Sequence, residues 1–515
     1  MRDYKVTTRF ARSIIVIALA AHSVSNADEP ATEHKERRGQ AEIARLETKI
    51  VNANSESERQ LGQEQIREIQ AALENNHRSS VPSYVDLIEV PFLLANALDH
   101  PVAKGKKPAS NLEAATAATD LSRIDPVTST YWRRPPSLST ADLGAGFDRH
   151  EAPAYEGLWN YAGPKKSGWN GGCVLESGGV RLKVKFAEIH SEPLTSRIFH
   201  ALGYNVDPTD YSPGLKFRYD RRFFQEFNSR RPMIMRAGMF FIPLYRLDLQ
   251  ARHNPFQAID HAILKSGVSL SGSELKAVLV GTSKRKRNGR IPEAFNSEIE
   301  NQIDYLVTIP ANVQVEAPHT HNIGPWDFGG RDHQNLRELR GAGLLAAWLG
   351  WWDSRFENTR LRIVKTPDGP MLKHFWTDLG GGLGRAGGAF SHSCENTNDF
   401  GWAFTRSTLS NGKLRFEITG YEPVEETTAF AEMTIDDARW MARLIANLTE
   451  QQIVDALVAS GFGVAEVHVY TEKLLSRRDK MICDLQLTNE FALLRPEHLR
   501  NTMPPVPPRL LSKSR

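Results

Sequence analysis

Two acidic residues and one amide in the second half of the chain have the types and spacing of a metal site beside a catalytic carboxylate. Asp353 and Asn358 are five residues apart in "WWDSRFENTRL", and Asp378 follows about twenty residues later, directly before "LGGGLG". The oxygens of Asn358 and Asp378 suit magnesium, which prefers hard oxygen ligands and keeps positions for water and substrate phosphates. Asp353 can then orient a hydroxyl group or accept its proton. Phosphoryl transfer needs this division of labour, because its catalysis is mostly positioning and charge neutralisation.

A predicted β-hairpin brings these three residues together. The preceding helix, from about residue 334, is expected to end at Gly350, and "TRLRIV" then alternates as a strand. The segment "TPDGP" has the proline and glycine of a turn, and "MLKHFWTD" is the returning strand. Asp353 and Asn358 precede the first strand and Asp378 follows the second. The sequence therefore predicts all three at the open base of one hairpin.

A second charged group lies on a strand and a helix nearer the middle of the chain. The segment 179–186, "GVRLKVKF", alternates apolar and basic residues, which predicts a strand with Lys185 on its charged face. A helix is predicted over about 191–202, with a proline in its first turn and a glycine after its end. Another helix is expected in "PFQAIDHAILKSG" (255–267), and helices are predicted over most of 434–483.

The tryptophans near the hairpin and the cysteines are given structural interpretations. Trp348, Trp351, Trp352 and Trp376 are expected to pack in the core and the cleft instead of stacking on a ligand. The chain has three widely spaced cysteines, so at most one internal disulfide is possible and no metal site is indicated.

The pattern D-x-x-x-x-N, strand, turn, strand, D-L-G resembles the catalytic and metal-binding segments of the protein-kinase-like superfamily. Its atypical branches, such as the HipA-type kinases and the phosphatidylinositol 3-kinases, are the most similar. The resemblance implies that Asp353 is the catalytic aspartate, Asn358 the metal-binding asparagine, and Asp378 the metal-binding aspartate of the "DFG" triplet, written here "DLG". It also implies that Arg355 neutralises the transferred phosphate, and that the cofactors are ATP and Mg.

The same resemblance implies a strand lysine that grips the nucleotide phosphates and a helix glutamate that pairs with it. Lys185 and Glu192 match these positions, and Glu188 is a nearby alternative to Glu192. Two phrases, "SEPLTSRIFHALGY" and "WLGWWDSRFENTRL", are also similar to a group of exported bacterial proteins with kinase-like domains. The resemblance covers roughly residues 155–490.

The order of elements and the resemblance together predict an α+β protein with a two-lobed, protein-kinase-like fold. The strand-rich N-lobe, with insertions, is expected over 154–322, and the helical C-lobe over 323–500. Before them, the charged and amphipathic segment 28–99 is predicted to be a helical extension, and 100–153, rich in proline, serine, alanine and threonine, a linker. Residues 501–515 are expected to be a flexible tail.

The first 27 residues have the features of a signal peptide. Four basic residues precede the apolar run "SIIVIALAA", and small residues stand where a signal peptidase cuts. We therefore expect an exported protein, periplasmic or extracellular. After leader cleavage no stable membrane insertion is expected, because no other stretch approaches the roughly 20 apolar residues that a spanning helix needs. Removal of the leader takes away four basic residues and one acidic residue, which balances the formal charge of +3, so no nucleic-acid partner is expected.

The sequence leaves three functions open. The leading hypothesis is an exported phosphotransferase that uses ATP and Mg on an unknown acceptor, either a protein or a small molecule. The alternative is a catalytically inactive kinase fold that acts as a binding or scaffold protein. That alternative is favoured by the scarcity of ATP outside the cytoplasm and by the irregular glycine-rich segment 163–172, "GPKKSGWNGG". Transfer of a nucleotidyl group instead of a phosphate is the third.

Overall fold

The computed structural model describes the chain in separate ranges. They are 40, 43–48, 50–53, 56, 59–60, 62–63, 66–67, 69–70, 126, 128–147, 155–165, 171–227, 234–237, 240–243, 254–280, 295–315, 320–326, 336–355, 358–366, 369–385, 393–401, 406–410, 413–417 and 428–499. The predicted leader and tail, and much of the predicted extension and linker, lie outside these residues. Most of the described residues between 40 and 70 are helical, and Ile43, Leu46 and Ile69 among them are buried.

The described chain is α+β, with strands frequent up to residue 324 and helices frequent after 428. The strands are β1 (Leu158–Pro164), β2 (Gly172–Ser177), β3 (Val180–Lys185), β4 (Asn205–Val206), β5 (Thr209–Ser212), β6 (Lys216–Arg218), β7 (Ile234–Ala237), β8 (Phe240–Pro243), β9 (Ile259–Leu264), β10 (Ser269–Ser271), β11 (Ile303–Thr308), β12 (Ala311–Val315), β13 (Thr320–Gly324), β14 (Thr359–Thr366), β15 (Gly369–Trp376), β16 (Arg406–Ser410) and β17 (Lys413–Glu417).

The helices include several short ones and one long one. They are α1 (Ser191–Ala201), α2 (Arg221–Glu226), α3 (Gly272–Leu279), α4 (Ser297–Gln302), α5 (Arg337–Leu349), α6 (Thr428–Ala431), α7 (Ile435–Ala446), α8 (Glu450–Ala459), α9 (Val464–Asp484) and α10 (Pro496–Leu499), together with a 3-10 helix at Pro255–Ala258. Across the ranges that the structure covers, none of the helices combines the length and apolar character needed to cross a bilayer.

The described residues divide into two compact units. The first comprises Asp148–Pro193 and Pro208–Pro318, and the second comprises Ala27–Phe147, Leu194–Asp207 and His319–Arg515. The helix α1 therefore begins in the first unit and continues in the second.

The first unit is built on a nine-stranded mixed sheet in the order β10-β9-β11-β6-β1-β2-β3-β12-β5. Strands β1 and β6 run parallel, whereas β2, β3 and β12 pair antiparallel with their neighbours. Strand β3 confirms the strand predicted from the alternation in 179–186, and its apolar residues Leu182 and Val184 are fully buried in the core of this unit. Such alternation buries one face of a strand.

One predicted helix of this unit is wrong. The segment 255–267 forms a single 3-10 turn and then strand β9, which pairs with β10 on one side and β11 on the other. Asn254 caps the turn by accepting a hydrogen bond from the backbone nitrogen of Phe256. Ile259 and Ala262 are buried three residues apart, with an irregularity in the β9–β11 register between them, so it is pairing on both edges of β9 that overrides the local helical pattern.

The second unit has a helical core around α5, every residue of which is buried. The helix packs against α6 and α7, while α9 packs against α7 and α8. Close packing depends on two glycines, because a Cβ added at Gly341 would lie 2.7 Å from the ring of Trp440, and one at Gly343 would lie 3.0 Å from Phe430. Helix α5 ends as predicted at Gly350, which has a left-handed φ of 66°.

The hairpin that carries the predicted metal site belongs to the second unit and is confirmed. Strands β14 and β15 pair antiparallel from Thr359↔Trp376 at the base to Thr366↔Gly369 at the turn. They lie inside a four-stranded mixed sheet in the order β13-β14-β15-β4, in which β15 and β4 run parallel. The base of the hairpin is therefore held on both sides by neighbouring strands.

Residues 128–147, here called the strap, come from the predicted linker and belong to the second unit. The strap has no helix and only one isolated bridge, Trp132↔Tyr204, yet its side chains Tyr131, Trp132 and Phe147 are buried. The indole nitrogen of Trp132 donates to the carbonyl of Leu202 at 2.7 Å.

Helices α1 and α8 both bind the strap through its backbone carbonyls. Arg197 of α1 donates to the carbonyls of Leu143 and Gly144 at 3.2 and 2.8 Å. Gln452 of α8 donates to the carbonyls of Leu138 and Ala141, each at 2.7 Å. Side-chain donors thus satisfy the strap carbonyls that no regular secondary structure satisfies.

Candidate functional site

The loop before β14 is closed by the side chain of Asn358. Its amide nitrogen donates to the backbone oxygen of Asp353 at 2.7 Å and to Asp353 Oδ2 at 2.9 Å. The backbone nitrogen of Thr377, just after β15, donates to the Asn358 carbonyl at 2.9 Å and so joins the two ends of the hairpin. Because the amide nitrogen faces Asp353, the amide oxygen is the atom of Asn358 that suits a metal ion.

The carboxylate of Asp353 is also bound by Arg355. The guanidinium group of Arg355 contacts Asp353 Oδ1 at 2.6 to 2.7 Å, and its side chain is about a quarter exposed. Burial raises the pKa of Asp353 above its ordinary value, and the neighbouring Asp378 carboxylate adds to that rise. Arg355 and the hydrogen bond from Asn358 partly offset it. The balance favours a carboxyl group that accepts protons more readily than a free aspartate.

Asp378 stands at a sharp change in chain direction. Its backbone is left-handed, with φ of 57°, and a run of three glycines begins two residues later. The chain folds back so that the carbonyl of Gly381 accepts a hydrogen bond from the backbone nitrogen of Trp352 at 2.9 Å. A Cβ at Gly381 would lie 3.0 Å from the Cβ of Asp353, so the glycine allows the segment after Asp378 to lie against the Asp353 loop.

The tryptophans beside this loop are packing residues, as predicted. Trp348, Trp351 and Trp376 are fully buried and Trp352 nearly so. The rings of Trp351 and Trp376 meet edge to face with centroids 5.7 Å apart. These buried rings belong to the core of the second unit, next in sequence to the Asp353 loop and to the end of β15.

Lys185 and Glu192 form a buried ion pair in the first unit. The ammonium nitrogen of Lys185 lies 2.7 Å from Glu192 Oε1 and 2.5 Å from Glu192 Oε2. Lys185 is 0% exposed and Glu192 is 1% exposed, whereas Arg181 on the same predicted face of β3 is exposed. Glu192, in the first turn of α1, is therefore a partner of Lys185, as the resemblance implies.

One residue of this group gave no sequence signal. Asn312 on β12 donates from its amide nitrogen to Glu192 Oε2, and to the backbone oxygen of Glu188 at 3.3 Å. It lies 120 residues after Glu192, and only the register Asn312↔Lys185 between β12 and β3 brings it there. Pairing between strands that are distant in sequence leaves no periodic pattern in the residues of either strand, so the sequence did not predict it.

The predicted site residues therefore fall into two sets. Lys185 and Glu192 contact each other in the first unit, and Asp353, Arg355, Asn358 and Asp378 surround the hairpin base in the second. Chemically, the first set offers a buried ammonium group held by a carboxylate. The second offers oxygen donors for a divalent cation beside a carboxyl group of raised pKa.

Comparisons of the chain with protein-family models, with curated proteins and with solved structures gave no match. The geometry of these two sets is therefore the basis for a functional proposal.

Proposed function

We propose that the protein is a phosphotransferase of the protein-kinase-like type, with a two-lobed fold, that uses ATP and Mg on an acceptor still to be identified. Lys185, oriented by Glu192, binds the nucleotide phosphates. Asn358 and Asp378 bind Mg, Asp353 positions the acceptor hydroxyl and receives its proton, and Arg355 neutralises the transferred phosphate.

The buried Lys185–Glu192 pair is the observation that carries this proposal. Burying two charges costs several kcal/mol of desolvation, and a well-packed apolar pair at the same place is often as stable or more so. Stability alone therefore gives little reason for a fully buried lysine on a strand whose other basic residues are exposed or half-buried. A buried ammonium group with one fixed carboxylate is suited to bind phosphate oxygens.

The arrangement at the hairpin base gives independent support. Catalysis by positioning requires that the carboxylate and the metal ligands be fixed before substrate binds. Here one amide, Asn358, both holds Asp353 and offers its oxygen, and the second acid, Asp378, is placed by the hairpin itself.

The test is ADP formation by the purified full-length chain with ATP and Mg. Asp353→Asn and Asp378→Asn should each lower the rate by at least about a hundredfold, the size expected for loss of a general base or a metal ligand. Asp304→Asn, an exposed aspartate on β11, is the matched control and should leave the rate unchanged. Full activity in both site variants would overturn the proposal.

One observation favours the alternative of an inactive binding protein. Both oxygens of Asp353 already accept hydrogen bonds, Oδ1 from Arg355 and Oδ2 from Asn358, which lowers the capacity of the carboxylate to accept a further bond from a hydroxyl group. A rise in the melting temperature with ATP and Mg, without ADP formation by the wild-type protein, would favour this alternative. A modified target heavier by a nucleoside monophosphate would instead indicate nucleotidyl transfer.

A further inference from the structure

Asn312 is placed to control the geometry of the Lys185–Glu192 pair. Strand β12 lies between β3 and β5, with Asn312 opposite Lys185 on one side and opposite Tyr211 on the other. Its backbone is therefore fixed by strand pairing on both edges, and its side chain is fully buried. A short side chain on such a backbone has little freedom to move.

The amide nitrogen of Asn312 connects two parts of the turn that leads into α1. One contact is with Glu192 Oε2 and the other with the carbonyl oxygen of Glu188, at 3.3 Å. Glu188 has a left-handed backbone, with φ of 55°, and its carbonyl also accepts from the backbone nitrogen of Glu192 at 3.4 Å. Asn312 thus bonds to the start of this turn and to the carboxylate at its end.

The charges of the group make a neutral donor the suitable third partner. The ammonium group of Lys185 contacts both oxygens of Glu192 from one nitrogen atom, and a single point charge defines the orientation of a carboxylate plane only weakly. A third donor, fixed on a neighbouring strand, sets the plane of the carboxylate. An amide does so without a positive charge that would compete with Lys185 for Glu192.

We propose that Asn312 is a positioning residue, whose amide fixes the carboxylate of Glu192 and, through it, the ammonium group of Lys185. The inference rests on the proposed function for its purpose, since the fixed ammonium group is the one assigned to phosphate binding. The constraint that Asn312 places on Lys185 can be measured without any nucleotide.

The experiment compares Asn312→Leu with Gln314→Leu. Gln314 is a buried amide two residues further along the same strand, opposite Lys183, so its replacement removes an amide without touching Glu192. The first readout is the rate at which Lys185 of the native protein reacts with an amine-directed acylating reagent, followed by peptide mass spectrometry. Asn312→Leu should raise this rate about tenfold, as expected for loss of a hydrogen bond to a charged group, and Gln314→Leu should not.

Equal labelling of Lys185 in both variants would overturn the inference. If Asn312→Leu fails to fold, Asn312→Asp decides the matter in its place. It keeps the shape of the side chain but puts an acceptor against Glu192, and it should raise the labelling rate as well.

The second readout is the affinity for ATP and Mg. Asn312→Leu should weaken binding about tenfold in the wild-type background and have little effect in a Glu192→Gln background, because Asn312 acts through Glu192. Additive losses would assign Asn312 a general structural role and overturn the inference. If the wild-type protein binds no ATP, the proposed function fails, while the labelling rates still decide the role of Asn312.

Discussion

Asn358 bonds to Asp353 twice, through the backbone oxygen at 2.7 Å and through Oδ2 at 2.9 Å, across a span of five residues. The position of Asp353, assigned to the hydroxyl group, therefore depends on that of Asn358, assigned to the metal. A change at either one is expected to move the other.

Replacement of Asn358 by alanine should lower both the stability of the protein and its affinity for Mg. The loss of two hydrogen bonds to a largely buried partner is expected to lower the free energy of unfolding by about 1 to 3 kcal/mol. It should also raise the Mg concentration that gives half-maximal ADP formation. Urea unfolding and a Mg titration measure the two effects. Asn301→Ala, at an exposed asparagine on α4, should change neither; an unchanged Mg requirement in Asn358→Ala would remove Asn358 from the metal site.

Replacement of Arg355 by glutamine should shift the pH dependence of activity. The Arg355 guanidinium group lowers the pKa of Asp353, which burial and Asp378 otherwise raise, so its removal allows that pKa to rise further. Because the carboxylate form is the proton acceptor, the acidic limb of the pH-rate profile should move to higher pH. Steady-state rates from about pH 5 to pH 9 test this, and a shift to lower pH would contradict the assigned role of Asp353.

Glu338 should make the stability of the second unit depend on pH. Burial raises its pKa to about 8, although Arg340 and Arg337 partly offset the effect. The native state then binds a proton that the unfolded chain releases near its ordinary pKa of 4.5. The stability from this group is present below that value and is lost as the pH rises towards about 8.

The measurement is urea unfolding of Glu338→Gln across this pH range. The wild-type protein should lose up to about 1.4 kcal/mol per pH unit through this group, and Glu338→Gln should lose that slope. Glu176→Gln, at an exposed glutamate on β2, should keep the wild-type slope. A wild-type slope in Glu338→Gln would show that another group titrates.

Replacement of Gln452 by alanine should release the strap. The carbonyls of Leu138 and Ala141 would lose the donor that Gln452 supplies, at a cost of about 1 to 3 kcal/mol. Limited proteolysis should then cleave within 128–147 faster than in the wild-type protein. Gln451→Ala, one residue earlier on the same helix and exposed, should not change the cleavage rate. Equal cleavage of the two variants would show that other contacts hold the strap.

Local patterns predicted the elements of both residue sets. Alternation predicted β3 and the β14–β15 hairpin, and capping signals predicted α1 and the end of α5 at Gly350. These elements are defined by their own residues, so a single sequence carries them. The contact between Lys185 and Glu192 was expected only from the resemblance to the protein-kinase-like superfamily, which left Glu188 as an alternative partner.

Contacts between distant segments escaped prediction. Strand β9 was predicted as a helix because its environment, two flanking strands, is invisible in its own residues. The contacts of Asn312 and of the strap could not be predicted for the same reason. A single amide and a segment without periodicity have no sequence pattern that indicates their distant partners. The burial of Lys185 also required the structure, because alternation placed it on the charged face.

The strap must be retained in any shortened form of the protein. Its tryptophan and carbonyls satisfy donors and acceptors on α1, α8 and the segment after α1. A shortened chain that starts after Phe147 would uncover these groups and the apolar surface beneath Trp132, and would tend to aggregate. A minimal version for crystallisation or screening should therefore begin before Thr128, although residues 128–147 contribute no helix or strand to the fold.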